Sequence, residues 1–253
     1  NICIFSTVFF PSIGGQEIFN EIIANEFIQL GHNVEVVTDT ISSDNLDKFP
    51  FKVTRTKSII DKYKSFKRAD IILLSNFTLK EVPIAVLSGK KIIINHQISY
   101  LNNSSYLSKF LQFIKRKACR FFINIPNSKF TSKHISGKSY VVKNLYNDKL
   151  FIKKKHSRTK DFVFCGRLVN DKGIIELADS FKIVLEQYPN SSLTIIGDGA
   201  DKNNLQQYCK KIDINKNVNF ENFLSGEKLQ SKLIEHLCMV IPSIWEEPFG
   251  IVA

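Results

Sequence analysis

Short runs of β-branched and aromatic residues alternate with longer amphipathic stretches along almost all of the 253 residues. This alternation restricts the fold most, because strands that are separated by helices build parallel sheets. The strands predicted in the first part are Ile2–Ser6, Val34–Thr38, Lys52–Thr56, Ile71–Ser75, Ile92–His96, Phe121–Pro126 and Tyr140–Lys143. Those predicted in the second part are Phe162–Cys165, Leu193–Ile196, Val218–Phe220 and Met239–Pro242. The sequence therefore predicts an α/β protein with two doubly wound sheets.

A polar, basic and aperiodic segment at residues 153–160 separates the two series and is typical of a linker. We assign one domain to residues 1–152 and a second to residues 161–253, and we expect the second to be incomplete because the sequence ends inside an apolar stretch. Residues 1–160 contain 26 Lys and Arg against 11 Asp and Glu, a net charge of +15, whereas residues 161–253 contain 9 against 13, a net charge of −4. The excess of basic charge predicts an anionic partner, which could be a nucleic acid, a phosphate-bearing substrate or a membrane surface.

Five scattered cysteines without a C-x-x-C pair argue against a disulfide framework and against a zinc site. No apolar run reaches the roughly 18 residues that a membrane-spanning helix needs. We therefore expect the protein in the cytoplasm.

The first predicted strand leads through Gly14 and Gly15 into a helix near residues 15–30. Paired glycines let backbone amides approach a ligand closely, and the helix N-terminus behind them favours an anion. The spacing is not G-x-G-x-x-G, so the dinucleotide fingerprint is absent. A plain tight turn is an equally good explanation of these glycines.

Two cations follow the first strand of the second series. The strand ends at Gly166-Arg167, and Lys172-Gly173 stands where the next helix begins. Ligands of α/β sheets bind at the carboxyl edge, where an Arg fork and a Lys point charge together suit a diphosphate without a metal ion. The alternative is a pair of solvated surface cations.

The last segment, Pro242-Ser243 followed by Glu246-Glu247 and Phe249-Gly250, sets a carboxylate and backbone amides beyond a strand end. Taken alone, an acid that caps a helix explains it better.

Together these segments resemble glycosyltransferase family 4. The matching motifs are Pro11-x-x-Gly14-Gly15-x-Glu17, Gly166-Arg167 with Lys172-Gly173, Ile196-Gly197-Asp198-Gly199, Val218-x-Phe220 and Pro242-Ser243-x-x-Glu246-Glu247-Pro248-Phe249-Gly250. The resemblance implies the GT-B architecture, in which two Rossmann-like domains face each other across a cleft. It also implies transfer of a hexose with retention of anomeric configuration and without a divalent metal.

The resemblance further implies roles for individual residues. Arg167 and Lys172 match the cations that bind the donor diphosphate, and Gly14 and Gly15 match a loop near the phosphates. Gly197 and Asp198 are expected on the nucleotide side. Glu247 matches the first glutamate of an E-x7-E motif that contacts the donor sugar, and the second would fall two positions beyond Ala253. The remaining matches are Phe249 and Gly250, whose amides meet sugar hydroxyls, and His96, which resembles a catalytic histidine near the sugar.

For His96 the alternative is a hydrogen-bonded histidine at a strand end. The other histidines, including His236, are expected at the surface.

The resemblance implies transfer from a nucleotide-sugar donor, UDP- or GDP-linked, to a glycan or lipid-linked glycan in the synthesis of cell-surface polysaccharide such as lipopolysaccharide. No cofactor is expected. One alternative is a nucleotide-sugar epimerase of the same fold, which would need acid and base carboxylates that the sequence does not reveal. Another is a non-enzymatic nucleic-acid-binding protein, but no recognition motif accompanies the basic charge.

An amphipathic helix is predicted from residue 107 onward, with Leu107, Phe110, Leu111 and Ile114 on its apolar side. The basic residues around it are Lys109, Lys115, Arg116, Lys117 and Arg120. They suit docking to anionic lipid on the inner face of the cytoplasmic membrane, at about 1 kcal/mol for each basic side chain. The alternative is a helix that packs on the core and leaves its basic face in solvent.

Overall fold

A computed structural model describes residues 1–12, 14–42, 49–98, 100, 105–148, 150–152 and 157–245. The chain divides into two compact units, Asn1–Tyr146 and Asn147–Ala253. Each unit has its own parallel sheet with helices along it, so the predicted α/β class with two Rossmann-like domains is confirmed. The division lies a few residues before the predicted linker, of which residues 153–156 are outside the described residues.

In the described part of the first unit, six parallel strands form one sheet in the order β3-β2-β1-β4-β5-β6. The strands are β1 (Ile2–Ser6), β2 (Val34–Thr38), β3 (Lys52–Arg55), β4 (Ile71–Ser75), β5 (Lys91–His96) and β6 (Ile123–Pro126). The helices are α1 (Gly15–Gln29), α2 (Ile59–Arg68), α3 (Glu81–Leu87), α4 (Tyr106–Ala118) and α5 (Lys129–Lys133). The strand order reverses between β1 and β4, and such a switch point is where ligands of doubly wound sheets bind.

The central strands of this sheet are apolar on both faces, as strands covered by helices must be. Successive side chains of β1 point to opposite faces. Phe5 packs in one core with Phe66 of α2, whereas Ile4 packs in the other with Ala24 of α1. Burial on both faces explains why these strands read as continuous apolar runs in the sequence.

The predicted strand at Tyr140–Lys143 is wrong. This segment runs beside β6, and the amides of Tyr140 and Val142 donate to the carbonyls of Asn124 and Pro126. Only an isolated bridge between Asn124 and Ser139 forms. Because Pro126 has no N–H to donate back, the ladder cannot continue.

In the described part of the second unit, four parallel strands form a sheet in the order β10-β7-β8-β9. The strands are β7 (Lys160–Cys165), β8 (Leu193–Ile196), β9 (Val218–Glu221) and β10 (His236–Met239), and the helices are α6 (Ile174–Gln187), α7 (Lys202–Lys211) and α8 (Gly226–Leu233). Here the strand order reverses between β7 and β10. The carboxyl ends of these two strands therefore define the switch point of the second unit.

The last strand begins three residues earlier than predicted, because its ladder with β7 starts at His236 opposite Lys160. The His236 side chain is buried, and its ring nitrogens lie 2.8 Å from the Lys232 carbonyl and 2.8 Å from Thr194 Oγ1. Burial lowers the pKa of His236. The expectation that His236 lies at the surface is thus wrong.

Candidate functional site

The loop between β7 and α6 lies at the switch point of the second unit. Gly166 and Arg167 follow β7 directly, and Lys172 ends a 3₁₀ turn over residues 170–172. Arg167 is exposed and Lys172 is half-buried. The structure therefore brings the two predicted cations together on one short loop at the ligand-binding edge of the sheet.

The neighbouring loop after β8 holds this loop in place through its backbone. The amide of Leu168 donates to the Asp198 carbonyl at 2.9 Å, and the amide of Asp201 donates back to the Leu168 carbonyl at 3.0 Å. The Asp201 carboxylate also accepts from the amide of Asn170 at 2.9 Å. These bonds fix the backbone that carries Arg167.

Gly197 allows the two loops to come this close. A Cβ atom at Gly197 would lie 1.9 Å from the carbonyl oxygen of Gly166, so no other residue fits without moving the backbone. Asp198 beside it is exposed, and its Oδ1 lies 4.0 Å from Lys202 Nζ. This packing explains why the position needs a glycine. Contacts of Gly197 and Asp198 with a nucleotide stay a prediction.

The segment after β10 completes this site. A Cβ atom at Gly173 would lie 2.0 Å from the Pro242 carbonyl oxygen, and the amide of Ile244 donates to the Asp171 carbonyl at 3.2 Å. Lys172 Nζ lies 5.6 Å from the centre of the Trp245 ring. The loops that follow β7, β8 and β10 therefore meet at one edge of the sheet.

This edge has the chemistry of an anion site. Helix α6 begins right behind Lys172, and within the described residues no side chain caps its N-terminus. Its first backbone N–H groups and the positive end of its dipole favour an anion there. With Arg167 and Lys172 on the same loop, the edge suits a diphosphate.

Three predicted site residues lie outside the described residues. Glu247, Phe249 and Gly250 fall within residues 246–253, and so does the Glu246 beside them. Their roles toward a donor sugar stay predictions.

In the first unit, Gly14 and Gly15 lie at the carboxyl edge of the sheet. Gly14 is the extended residue that precedes α1, and Gly15 is the first residue of the helix. Ser12 Oγ donates to the Glu17 carboxylate at 2.9 Å across this turn. The position fits a helix N-terminus at the β1/β4 switch point, and contact with phosphates stays a prediction.

A polar network that the sequence analysis missed lies at the same switch point. Ser6 Oγ, at the end of β1, accepts from Gln16 Nε2 at 2.9 Å and from Asn20 Nδ2 at 3.0 Å. Ser75 Oγ, at the end of β4, donates to Asn20 Oδ1 at 2.7 Å, and Asn76 Nδ2 donates to Gln16 Oε1 at 2.8 Å. The sequence does contain a sign of this network, because a serine ends each of two otherwise apolar strands. The network ties the start of α1 to both strands of the switch point.

His96 is fully buried at the end of β5. Its Nε2 donates to Asn124 Oδ1 at 2.9 Å, and its Nδ1 lies 2.8 Å from the Tyr100 hydroxyl, which in turn accepts from the amide of Phe77. Burial lowers the pKa of His96 to about 4, against the opposing effect of the Asn124 hydrogen bond, so the ring is neutral near pH 7. These contacts favour the hydrogen-bonded histidine at a strand end, and a catalytic role stays a prediction.

No group of three or more His, Cys, Asp or Glu side chains among the described residues is arranged to hold a metal ion. No helix within these ranges is both long enough and apolar enough to cross a membrane.

Comparison with known proteins agrees with this geometry. Residues 147–253 match the family glycosyl transferases group 1. An uncharacterized glycosyltransferase of Methanocaldococcus jannaschii is 30% identical across an alignment that covers 78% of this chain and 56% of that protein. The α-monoglucosyldiacylglycerol synthase of Acholeplasma laidlawii is 23% identical across an alignment that covers 90% of this chain and 71% of that enzyme.

Among solved structures, the HepE protein of Anabaena in complex with UDP-glucose superimposes with a TM-score of 0.81 at 14% identity, over 99% of this chain and 76% of that one. The fold is that of the GT-B glycosyltransferases. The chain spans little more than half the length of its archaeal relative, at 56%.

Proposed function

We propose that this protein transfers a sugar from a nucleotide-sugar donor to a hydroxyl group of a glycan or lipid-linked glycan. The observation that carries the proposal is the pair of cations before the N-terminus of α6, which no described side chain caps, at the switch point of the unit that matches the glycosyltransferase family. A solved structure of the same fold binds UDP-glucose, and one relative is named for making a glucosyl lipid. Both support a nucleotide-sugar donor.

The donor diphosphate is the group that Arg167 and Lys172 hold in this proposal. When the bond between the sugar C1 and the diphosphate oxygen breaks, negative charge grows on the leaving diphosphate. The loop contacts fix the backbone that carries the guanidinium, the ammonium and the amides of α6 before the reaction starts, so these groups stabilise that charge with little rearrangement of the chain. Groups placed in this way lower the barrier by about 3 to 4 kcal/mol each. A metal ion is then not needed.

Retention of the anomeric configuration is part of the proposal. The acceptor oxygen attacks C1 on the face that the diphosphate leaves, the new C1–O bond forms as the old one breaks, and the acceptor proton passes to the leaving phosphate oxygen. Glu247, with the amides of Phe249 and Gly250, would orient the sugar. We assign no proton transfer to His96, because both of its ring nitrogens are engaged within the protein.

The biological setting that we propose is the synthesis of cell-surface polysaccharide, such as lipopolysaccharide, with UDP or GDP in the donor. The reaction would take place in the cytoplasm. These details are supported by the resemblance of the motifs around Arg167 and Glu247, and by the glycolipid-forming relative.

The test is a calorimetric titration of UDP, GDP and ADP against the wild-type protein and against Arg167→Ala and Lys172→Ala. Each variant should bind the preferred nucleotide about 10- to 100-fold more weakly, since a hydrogen bond to a charged group contributes about 1.5 to 3 kcal/mol. The control is Lys210→Ala, which removes an exposed cation of α7 in the same unit. Normal affinity in both site variants would refute the diphosphate assignment.

A second measurement separates the proposal from its rivals. Wild-type protein that binds an oligonucleotide in a salt-sensitive manner, but gives no heat with any nucleotide, would point to nucleic-acid binding. Conversion of a nucleotide sugar to its epimer without an acceptor would point to an epimerase. Glycosyl transfer requires that free nucleoside diphosphate is released only in step with a glycosylated acceptor.

A further inference from the structure

Helix α4 turns its apolar side outward. Tyr106 is 93% exposed, Leu107 68%, Phe110 59% and Phe113 54%, and none of the thirteen described residues of the helix is buried. The alternative of a helix that packs its apolar side on the core is thus wrong. A contiguous exposed patch of large apolar side chains is unusual on a soluble protein and marks an interaction surface.

The side of α4 that faces the protein is the more polar one. Leu111, Gln112, Lys115 and Arg116 are half-buried, and Arg116 Nε donates to the backbone carbonyl of His134. Of the five basic residues expected to meet a membrane, Lys115 and Arg116 therefore lie on this inner side. The helix is held at its end by the 3₁₀ turn that follows, where Cys119 is fully buried.

The other three basic residues are exposed beside aromatic rings. The pairs are Lys109 with Tyr106 at 5.7 Å, Lys117 with Phe113 at 5.7 Å, and Arg120 with Phe121 at 5.4 Å, each measured from the charged group to the ring centre. Phe121 is itself 77% exposed. Rings and cations thus share one surface, which we call the α4 face and define by Tyr106, Lys109, Phe110, Phe113, Lys117 and Arg120.

The sequence around this face has no opposing charge. Residues 82–147 contain 11 Lys and Arg and not one Asp or Glu. No carboxylate from this stretch of chain can pair with the cations of the α4 face. A surface of this kind attracts an extended anionic partner and loses much of that attraction in high salt.

We propose that the α4 face docks on a bilayer that contains anionic phospholipid, a property that does not depend on the proposed glycosyl transfer. The rings and the aliphatic Leu107 and Ile114 enter the boundary between headgroups and acyl chains, while Lys109, Lys117 and Arg120 meet lipid phosphates. A nucleic acid would use rings for stacking, but it gives Leu107 and Ile114 no apolar environment. An anionic lipid surface supplies both an apolar environment for these side chains and negative charge for the cations.

The experiment is flotation of the purified protein with vesicles of phosphatidylcholine alone and of phosphatidylcholine with phosphatidylglycerol. We expect binding to the anionic vesicles only, and weaker binding when salt is raised from about 0.1 to about 0.5 M. Neutralising the cations in the triple variant K109Q/K117Q/R120Q should lower the partition coefficient about 100-fold, from about fivefold for each charge. The variant F110S/F113S should lower it at least about tenfold while leaving every charge in place.

Matched controls keep the result interpretable. K210Q/K211Q removes two exposed cations of α7, and Ile183→Ser removes a 62% exposed apolar side chain of α6; neither should change vesicle binding. All variants should keep the wild-type unfolding midpoint and nucleotide affinity, because the changed residues are exposed. The proposal is overturned if the protein binds both vesicle types equally, or if only the charge variant or only the Phe variant weakens vesicle binding. It is also overturned if the control variants lose as much vesicle binding as the α4 variants. Tight binding to an oligonucleotide that the same variants abolish, without vesicle binding, would overturn it in favour of a nucleic acid.

Discussion

The variant Gly173→Ala tests whether the contact between the β7 loop and the end of β10 builds the site. Gly173 has a φ of 67°, in the left-handed region that L residues with a side chain rarely adopt. Its missing Cβ would lie 2.0 Å from the Pro242 carbonyl oxygen, a backbone atom that cannot swing aside. One added methyl group therefore meets two separate penalties.

The size of each penalty can be estimated. The left-handed conformation costs a non-glycine residue about 1 to 2 kcal/mol. Forcing extra volume into a packed contact costs about 1 to 3 kcal/mol, so the total is about 2 to 5 kcal/mol. Because Gly173 joins Lys172 to α6, relief of the clash must also move the cation and the helix N-terminus away from their positions. We therefore expect a loss of nucleotide affinity in addition to the loss of stability.

The assay is urea unfolding followed by tryptophan fluorescence, since Trp245 is the single tryptophan of the sequence and reports on the second unit. The matched control is Gly226→Ala, because Gly226 has a φ of 56° in the same unit but nothing within 4 Å of its added Cβ. The control should cost only the conformational part, about 1 to 2 kcal/mol. If Gly173→Ala is no more destabilising than Gly226→Ala and binds nucleotide normally, the reasoning about this contact is refuted.

Two further predictions concern buried groups of the first unit. The pKa of His96 falls from 6.5 to about 4 on folding, so the unfolded chain binds more protons between these values, and the free energy of unfolding should fall as the pH drops from 6.5 to 4. Urea titrations at pH 6.5 and pH 4 measure this fall in the free energy of unfolding. In His96→Gln the fall should be smaller than in the wild type by about 3 kcal/mol, and an equal fall in both proteins would contradict the assignment. Lys62 Nζ, fully buried, lies 2.5 Å from Asp39 Oδ1 and 2.8 Å from Glu81 Oε1. Lys62→Met should cost about 3 to 5 kcal/mol by stranding two carboxylates, whereas Lys64→Met at an exposed position of the same helix should cost little; equal effects would show that the ion pairs are unimportant.

The strands that were predicted well are those whose local pattern agrees with their surroundings. β1, β2 and β4 have the predicted bounds, because an apolar run covered on both faces is visible without knowledge of its neighbours. The errors occur where a partner decides the outcome. The strand predicted at Tyr140–Lys143 fails because Pro126 of β6 has no N–H to donate to it, and the start of β10 depends on its register with Lys160.

The cations of the site could be found from the sequence for a similar reason. Arg167 and Lys172 lie close along the chain, and a strand end followed by a helix start tells where they stand in a parallel sheet. The roles of single residues were harder to predict. Nothing near His96 in the sequence shows that Asn124, on another strand, takes one of its ring nitrogens.

The periodicity of the chain and the order of its strands and helices are enough to establish the α/β class, the two sheets and the position of the cationic loop. Which groups meet is visible only in the folded chain. Folding brings Pro242 against Gly173, and it joins the ends of β1 and β4 through side-chain amides and hydroxyls. It also turned the apolar side of α4 outward, although the same helical period fits a helix facing the core. The physical reason is that periodicity marks the faces of an element, whereas the direction in which a face points depends on packing between residues far apart in the chain.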